Sequence, residues 1–408
     1  MRKITVLLIS ISMLLVSGCW DMREINELGL VMAVAVDKST NYPNNYLVTV
    51  QLANPKGGGA TGQQSSAPTG LWIAEAEGKT IFEAIRKIAQ SSSHRIMWAH
   101  NNIIIIGESL AQDDITPVVN FFTHNYELRM KTLVAVGKGK AGDFLTATVG
   151  MGDVPGLSLS DLFRNQQFTG QGLTSTMLRI FEKFTSETTN PIMTALSFSK
   201  VITQPGVLDK AENTQKQIRV EGAAVFDETK LLGYLTPEET TGLSWILGDN
   251  PNTVISVVDP EIPVRATAIE VSNVKHDITS QFNEGTLIPK INIRITGVGK
   301  LSEDHFSNMS ITAYKTRWEA LLNEQIARQV EQAIAKVQKE YQSDVLGFGD
   351  IVHGQHKTEW HESIKNNWHN VFTEAEVNVE AYIDIQSSAL YQLPFYNYKA
   401  RGSAYDHD

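Results

Sequence analysis

Cys19 is the only cysteine in the 408-residue chain, and its surroundings favour chemistry on its thiol. Arg2 and Lys3 precede an apolar run from Ile4 to Leu15, and Val16-Ser17-Gly18 leads into Cys19. A positive n-region, a short apolar h-region and small residues at a cut site make residues 1–18 a secretory signal peptide. The small-small-Cys ending is the pattern of a bacterial lipobox. There the thiol is diacylated, the peptide is cleaved before the cysteine, and the new N-terminus is held in the outer leaflet. The alternative is a plain signal peptide with an accidental cysteine. The apolar run is shorter than the roughly 20 residues that cross a bilayer. Each buried methylene adds about 0.8 kcal/mol, so one acyl chain holds marginally and two hold stably. Cys19 is the expected lipid-attachment residue, and the membrane is the partner expected through it.

Other reactive constellations are incomplete. The chain has no G-x-S-x-G elbow, no H-E-x-x-H and no paired cysteines. Gly57, Gly59 and Gly62 match the dinucleotide fingerprint in spacing, but no helix opens behind them. Gly78-Lys79-Thr80 looks like the end of a phosphate-binding loop, yet Ile73 stands where its first glycine belongs. Thr80 with Glu83 reads better as a capping box at a helix start. His353, His356, His361 and His369 form the densest titratable group, and their spacing fits no standard zinc pattern. Solvated or hydrogen-bonded histidines are the plainer reading. His100 reads as a structural residue, and the stripe from Trp360 to Trp368 as core. No catalytic residue, metal ligand or cofactor site is expected, which favours a binding or assembly protein.

Composition suits a folded body, with 42% hydrophobic and 20% charged residues. Cleavage after Gly18 would move the formal net charge from −10 to −12. That balance argues against nucleic acid as a partner, since phosphate binding needs a basic surface. With its one cysteine committed to lipid, the chain has no disulfide framework and relies on core burial.

The elements that follow alternate strand and helix. Leu28–Val36 and Tyr46–Leu52 read as a hairpin around a long turn. Residues 54–70 are rich in Gly and Ser and read as a surface loop. A helix is expected over 81–90, with Phe82, Ile85, Ile88 and Ala89 on one face. Ile103–Ile106 reads as a central strand, 113–129 as an amphipathic helix that includes Tyr126, and 133–136 as another strand. Residues 150–171 are turn-rich, 174–185 allow a helix, and 191–202 allow a strand. Residues 204–217 read as a linker between an N-terminal α/β region (19–203, with room for two subdomains) and a C-terminal α+β domain (218–400).

Past the linker, 219–226 and 231–235 read as paired strands. Thr236-Pro237-Glu238-Glu239 is a helix start, and Gly248 a stop. Further strands are expected over 253–258, 265–274, 291–295 and 377–385. A long helix over 316–341 carries Trp318, Leu322, Ile326, Val330, Ile334 and Val337 on one stripe. A second, over 357–372, carries Trp360, Ile364, Trp368 and Phe372 at strict four-residue spacing. The fold class is multi-domain α+β, with mixed and antiparallel sheets packed with helices.

Several segments together resemble the C subunits of spore-germination nutrient receptors, the Ger(x)C lipoprotein family. They are Cys19-Trp20-Asp21-Met22-Arg23-Glu24-Ile25-Asn26-Glu27-Leu28-Gly29-Leu30-Val31, Trp98-Ala99-His100-Asn101 and Gly222-Ala223-Ala224-Val225-Phe226. Leu232 to Thr240, Asp344-Val345-Leu346-Gly347-Phe348-Gly349 and Trp360 through Phe372 extend the likeness. His124 in place of an arginine, Ser387-Ser388 in place of a glycine and the glycine-rich loop at 57–62 are local departures. The resemblance implies a lipoprotein on the outer face of the spore inner membrane, acting with a polytopic A subunit and a transporter-like B subunit. Such a complex responds to small nutrients and triggers ion and dipicolinate release. The family has a three-domain α+β fold. The only site residue that carries over is Cys19. A solute-binding lipoprotein that captures the nutrient directly is the alternative, and an extracellular enzyme a third option. Two repeating lobes with paired hinge crossings, which solute binding would favour, are not visible in the sequence.

Overall fold

A computed structural model describes residues 27–53, 71–125, 127–147, 155–166, 172–200, 216–249, 252–261, 266–283, 285–303 and 311–386. The signal peptide, Cys19, the 54–70 loop and Tyr126 lie outside the described residues.

Nine strands form one large mixed sheet: β1 (Leu28–Lys38), β2 (Tyr46–Ala53), β3 (Leu71–Gly78), β4 (Arg95–Met97), β5 (Ile103–Gly107), β6 (Leu133–Gly137), β7 (Ile192–Lys200), β8 (Lys216–Asp227) and β9 (Lys230–Leu235). The spatial order is β3-β2-β1-β5-β6-β7-β8-β9, with β4 also paired to β1. β1, β5, β6 and β7 run parallel at the centre, and antiparallel hairpins flank them. Parallel strands need cover on both faces, and the isoleucine run supplies apolar side chains to both. Ile104 and Ile106 join a core with α1 (Ile81–Ser91), while Ile103 and Ile105 face the opposite core.

In α1, Thr80 accepts the Glu83 amide, as expected of a cap. Glu83 reaches back to the Lys79 amide, one residue before the cap. Its buried face is Ile81, Ala84, Ile85 and Ile88, whereas Phe82 and Ala89 are exposed, a shift from the expected stripe. After the short α2 (Glu108–Ala111), the helix expected over 113–129 is only α3 (Thr116–His124). Asn125 turns extended, and its carbonyl takes the Leu128 amide in a turn instead. α4 (Gly142–Thr146) and α5 (Pro155–Gln166) cover the opposite face, and α6 (Met177–Thr185) returns to the α1 side. β3 and α5 were not expected from the sequence.

The linker expected at 204–217 separates β7 from β8 along the chain but not in space. β8 and β9, assigned by the sequence reading to the C-terminal domain, are strands of the large sheet. Between the pairs Thr194/Ala223 and Leu196/Val220, one residue of β7 opposes two of β8. This bulge holds Gly222, at φ +80°, and such an extra residue bends a strand. Val220 then faces the core under α5, and Ala223 and Val225 face the C-terminal core.

This C-terminal core lies between the large sheet and a four-stranded sheet, β10 (Asn252–Val258), β11 (Ala266–Phe282), β12 (Pro289–Glu303) and β13 (Glu376–Gln386), in that order. β13 pairs parallel to β12, so this sheet is not purely antiparallel. Thr236 and Glu239 make both halves of a capping box for α7 (Pro237–Leu247), which Gly248 ends in the left-handed region. α8 (Ile311–Ala335) buries the whole expected stripe, and a π-turn at Lys336–Glu340 continues it. Asn323 and Glu319 of α8 accept the Ile383 and Ile385 amides of β13, and Gln325 donates to the Ser256 carbonyl of β10. One helix thus caps polar groups on both outer strands.

α9 (Phe348–Gln355) and α10 (Lys357–Glu359) precede a π-turn at Trp360–Ile364, a 3₁₀ turn at Lys365–Asn367 and α11 (Trp368–Glu374). Side chains four apart drift by about 40° per step on an ideal α-helix. The irregular turns absorb that drift, so Trp360, Ile364, Trp368 and Phe372 all stay buried.

A Cβ added at Gly222 would lie 2.0 Å from the Leu235 carbonyl oxygen. Gly222→Ala is expected to cost more than the ~1–2 kcal/mol of left-handed strain alone. Urea unfolding, with the change read at constant slope, checks this.

Candidate functional site

The segment after α6 carries four turn-forming residues, Ser186, Thr188, Thr189 and Asn190, and then Pro191. Ser186 Oγ accepts the amides of Thr188 and Thr189, which folds the segment back on itself. The two threonine hydroxyls then point across to α9. Thr188 donates to Asp350 Oδ1 at 2.9 Å, and Thr189 to Asp350 Oδ2 at 2.8 Å.

Asn190 joins three segments. Its amide N–H donates to the Asp344 carbonyl at 2.8 Å. Its side-chain nitrogen donates to Ser343 Oγ and Asp227 Oδ1, and its oxygen accepts the Glu228 amide. Ser343 in turn donates to the Phe226 carbonyl. The large sheet and the C-terminal module are therefore stitched together through one side chain.

Asp344 anchors the C-terminal side. Its Oδ1 accepts the amides of Gly347 (2.8 Å) and Phe348 (3.1 Å). Its Oδ2 accepts the amide of Gly349 (2.8 Å) and the indole N–H of Trp368 (3.1 Å). These are the amide groups that a helix start leaves without intrahelical partners, so Asp344 caps α9 from inside the core. Burial pushes the carboxyl above the usual range, and the four donors pull it the other way. Gly347 sits at φ +79°, and a Cβ at Gly349 would meet Thr188 at 2.6 Å and the Trp368 indole nitrogen at 2.8 Å. The Asp-Val-Leu-Gly-Phe-Gly pattern is thus a requirement of this turn.

A cavity of about 460 Å³ opens between these segments, lined by Lys183, Asn190, Asp227, Lys365, Trp368 and His369 among others. Burial draws the Lys183 ammonium below the usual lysine range, opposed by the nearby Asp344 and Asp350 carboxylates. Lys365 pairs with Glu187 at 2.7 Å on its rim. A neighbouring pocket reaches His353 and Trp360. The lining offers donors, acceptors and charge, and the hydroxyls of Ser186, Thr188 and Thr189 all donate to the Asp350 carboxylate.

The four histidines do not converge. His353 stacks on Trp360 and meets His361 edge-on. His356 bonds the Ser280 carbonyl at 2.9 Å and lies against Phe282, and His369 faces the cavity. Among the described residues, no three His, Cys, Asp or Glu side chains form a metal-holding group. Cys19 lies outside the described residues. Lys183, Asn190 and Asp350 were not singled out from the sequence. The run of Ser, Thr and Asn before Pro191 is the signal that could have marked the loop. Asp344 was noted only for its resemblance.

The model of a spore germination protein N-terminal domain matches residues 21–198, and that of a spore germination B3/GerAC-like C-terminal domain matches residues 221–389. This chain belongs to the spore germination protein family defined by those two domains. The break between them falls at the stretch read as a linker, although the sheet runs across it. Family relatives from Bacillus subtilis (strain 168) include the putative spore germination protein YfkR, 26% identical over 93% of this chain and 95% of the relative. Spore germination protein B3 is 23% identical over 89% and 92%, and spore germination protein KC is 24% identical over 95% and 96%. The crystal structure of the GerBC protein shares the fold, with a TM-score of 0.53 and 20% identity over 86% of this chain and 96% of that one. In this family member, the two domains meet at the clamp around Asp344 and Asn190.

Asp344→Ala would leave three amides and an indole N–H without their acceptor. At about 1–3 kcal/mol for each buried unsatisfied donor, a loss of several kcal/mol is expected. Trp368→Phe removes one of the four bonds and little volume, and should cost far less. Thermal melts of both variants check the order.

Proposed function

We propose that this chain is a lipid-anchored accessory subunit of a nutrient germinant receptor complex that triggers endospore germination. The observation that carries the reading is the match of both germination-family domains over nearly all of the chain after residue 20. The signal-peptide pattern ending at Cys19 supports a diacylglyceryl anchor on the outer face of the spore inner membrane. The partners are a polytopic A subunit and a transporter-like B subunit. No helix among the described residues is long and apolar enough to cross a membrane, so contact with such partners would rest on the anchor and on surface side chains.

The role is assembly or signal coupling rather than catalysis. Support comes from the clamp itself: Asn190, Ser343 and Asp344 tie the two halves by short hydrogen bonds, so a displacement of one half loads the other. The ~460 Å³ cavity beside them favours a second reading, direct capture of a small nutrient. Calorimetry of the mature protein with a panel of amino acids, sugars and nucleosides separates the two. Saturable heat that Lys183→Met abolishes would favour capture. Absence of heat, with co-purification of tagged A and B subunits, would favour coupling.

Cys19→Ala should leave an uncut or released protein and impair germination. Intact mass of the native membrane form checks the anchor, and an unmodified Cys19 thiol would overturn it.

A further inference from the structure

The two ends of the large sheet differ in charge. At the end where β1, β5 and β6 finish, Lys38 pairs with Asp113, Lys138 with Glu221 and Lys140 with Glu75, and Lys79 lies beside Glu83. Asp37, Glu77, Glu108, Asp114 and Asp143 add negative charge there. At the end where those strands begin, Arg95, Arg129 and Lys131 are exposed. The ion pairs of the described residues include none of the three, although Glu27 and Glu127 lie at the same end. The topology gathers them. Arg95 sits beside Leu28 in the β1–β4 pairing, and Arg129 and Lys131 belong to the turn entering β6. Leu178 is bonded to the Met130 carbonyl between those two cations, and its side chain is 43% exposed. Trp72 is 38% exposed at the start of β3, beside His94 in a pocket of about 330 Å³. An acidic chain thus presents unpaired cations and exposed apolar side chains at one end.

This is also the end where the chain leaves the fold toward Cys19. Leu28 follows Cys19 by nine positions, a reach of at most about 30 Å when fully extended. A lipid on Cys19 would keep this end close to the bilayer. Unpaired Arg and Lys attract anionic headgroups within a Debye length, and exposed Trp and Leu suit the interface. We propose that the strand-start end of the large sheet, with Arg95, Arg129, Lys131, Leu178 and Trp72, is a docking surface for an anionic lipid bilayer and sets the orientation of the protein on its membrane. The proposal deepens the anchored reading and rests on it for the placement of this end, while the surface can be measured without the lipid.

The test uses the mature chain with Cys19→Ser, which removes the anchor, and sedimentation with phosphatidylglycerol or phosphatidylcholine vesicles at about 0.1 M salt. Binding to phosphatidylglycerol alone is expected, with release at high salt. Arg95→Gln, Arg129→Gln and Lys131→Gln together should lower the partition coefficient by roughly 100-fold, about fivefold for each charge. Lys79→Gln, Lys300→Gln and Lys357→Gln make the same change in net charge elsewhere and should leave binding near the parent value. Equal binding to both lipids, no binding to phosphatidylglycerol, or equal losses in the two triple variants would each overturn the proposal. Native-protein mass separates the two claims. A diacylated Cys19 with no vesicle binding by the Cys19→Ser chain leaves the anchor and removes the surface. An unmodified Cys19 with charge-dependent binding removes the anchor and leaves the surface.

Discussion

A single buried carboxylate holds the C-terminal half in register with the rest. Asp344 is buried, with only 3% of its surface exposed, and satisfies four N–H groups from four residues. Charge-assisted hydrogen bonds of this kind are roughly twice as strong as neutral ones, and in a low-dielectric core each depends on the others. The turn after α8, the start of α9 and the position of α11 all follow from where that carboxylate sits. The same residue's main-chain oxygen takes the Asn190 amide, so the large sheet is referenced to the same point. Asp37 repeats the device at the other end of the chain, accepting the Ala141 and Gly142 amides that open α4. Two buried aspartates thus fix two of the places where a strand or turn meets a helix start.

Periodicity made most of the scaffold readable in the sequence. The stripe from Trp318 to Val337 is continuous at three- and four-residue steps, and every member is buried. The Ile103–Ile106 run, the Thr236 capping box and the Gly248 stop are local signals whose physics is complete within a few residues. β3 escaped notice because Leu71–Gly78 is an edge strand with small and acidic residues and has no clean alternation of buried positions. α3 was over-extended because its apolar pattern runs on past Asn125 into a turn. The four-residue spacing of the tryptophan segment implied one helix, yet the core was satisfied by interrupting it.

The candidate site was less legible, for a different reason. Its bonds join residues far apart in the chain: Asp350 to Thr188 and Thr189, Ser343 to Phe226, Asn190 to Glu228. Each of those side chains, taken alone, is an ordinary turn or surface residue. Composition suggested a linker at 204–217, but composition cannot tell which sheet the next strand joins. Gly222 is the exception. Its left-handed backbone and the approach of Leu235 belong to one local bulge, so the motif around it was recognisable even though its sheet was not.

The attachment of α8 to both outer strands of the small sheet carries a consequence for how the molecule meets others. Strand β13 has two of its outward amides occupied by Asn323 and Glu319, and β10 has a carbonyl occupied by Gln325. An incoming strand would have to displace these side chains before it could extend the ladder. Lateral annealing of copies through this sheet is therefore disfavoured, even at high local crowding. Recognition at these two edges must instead read side-chain shape and charge, which a sequence can tune one residue at a time without disturbing the backbone beneath.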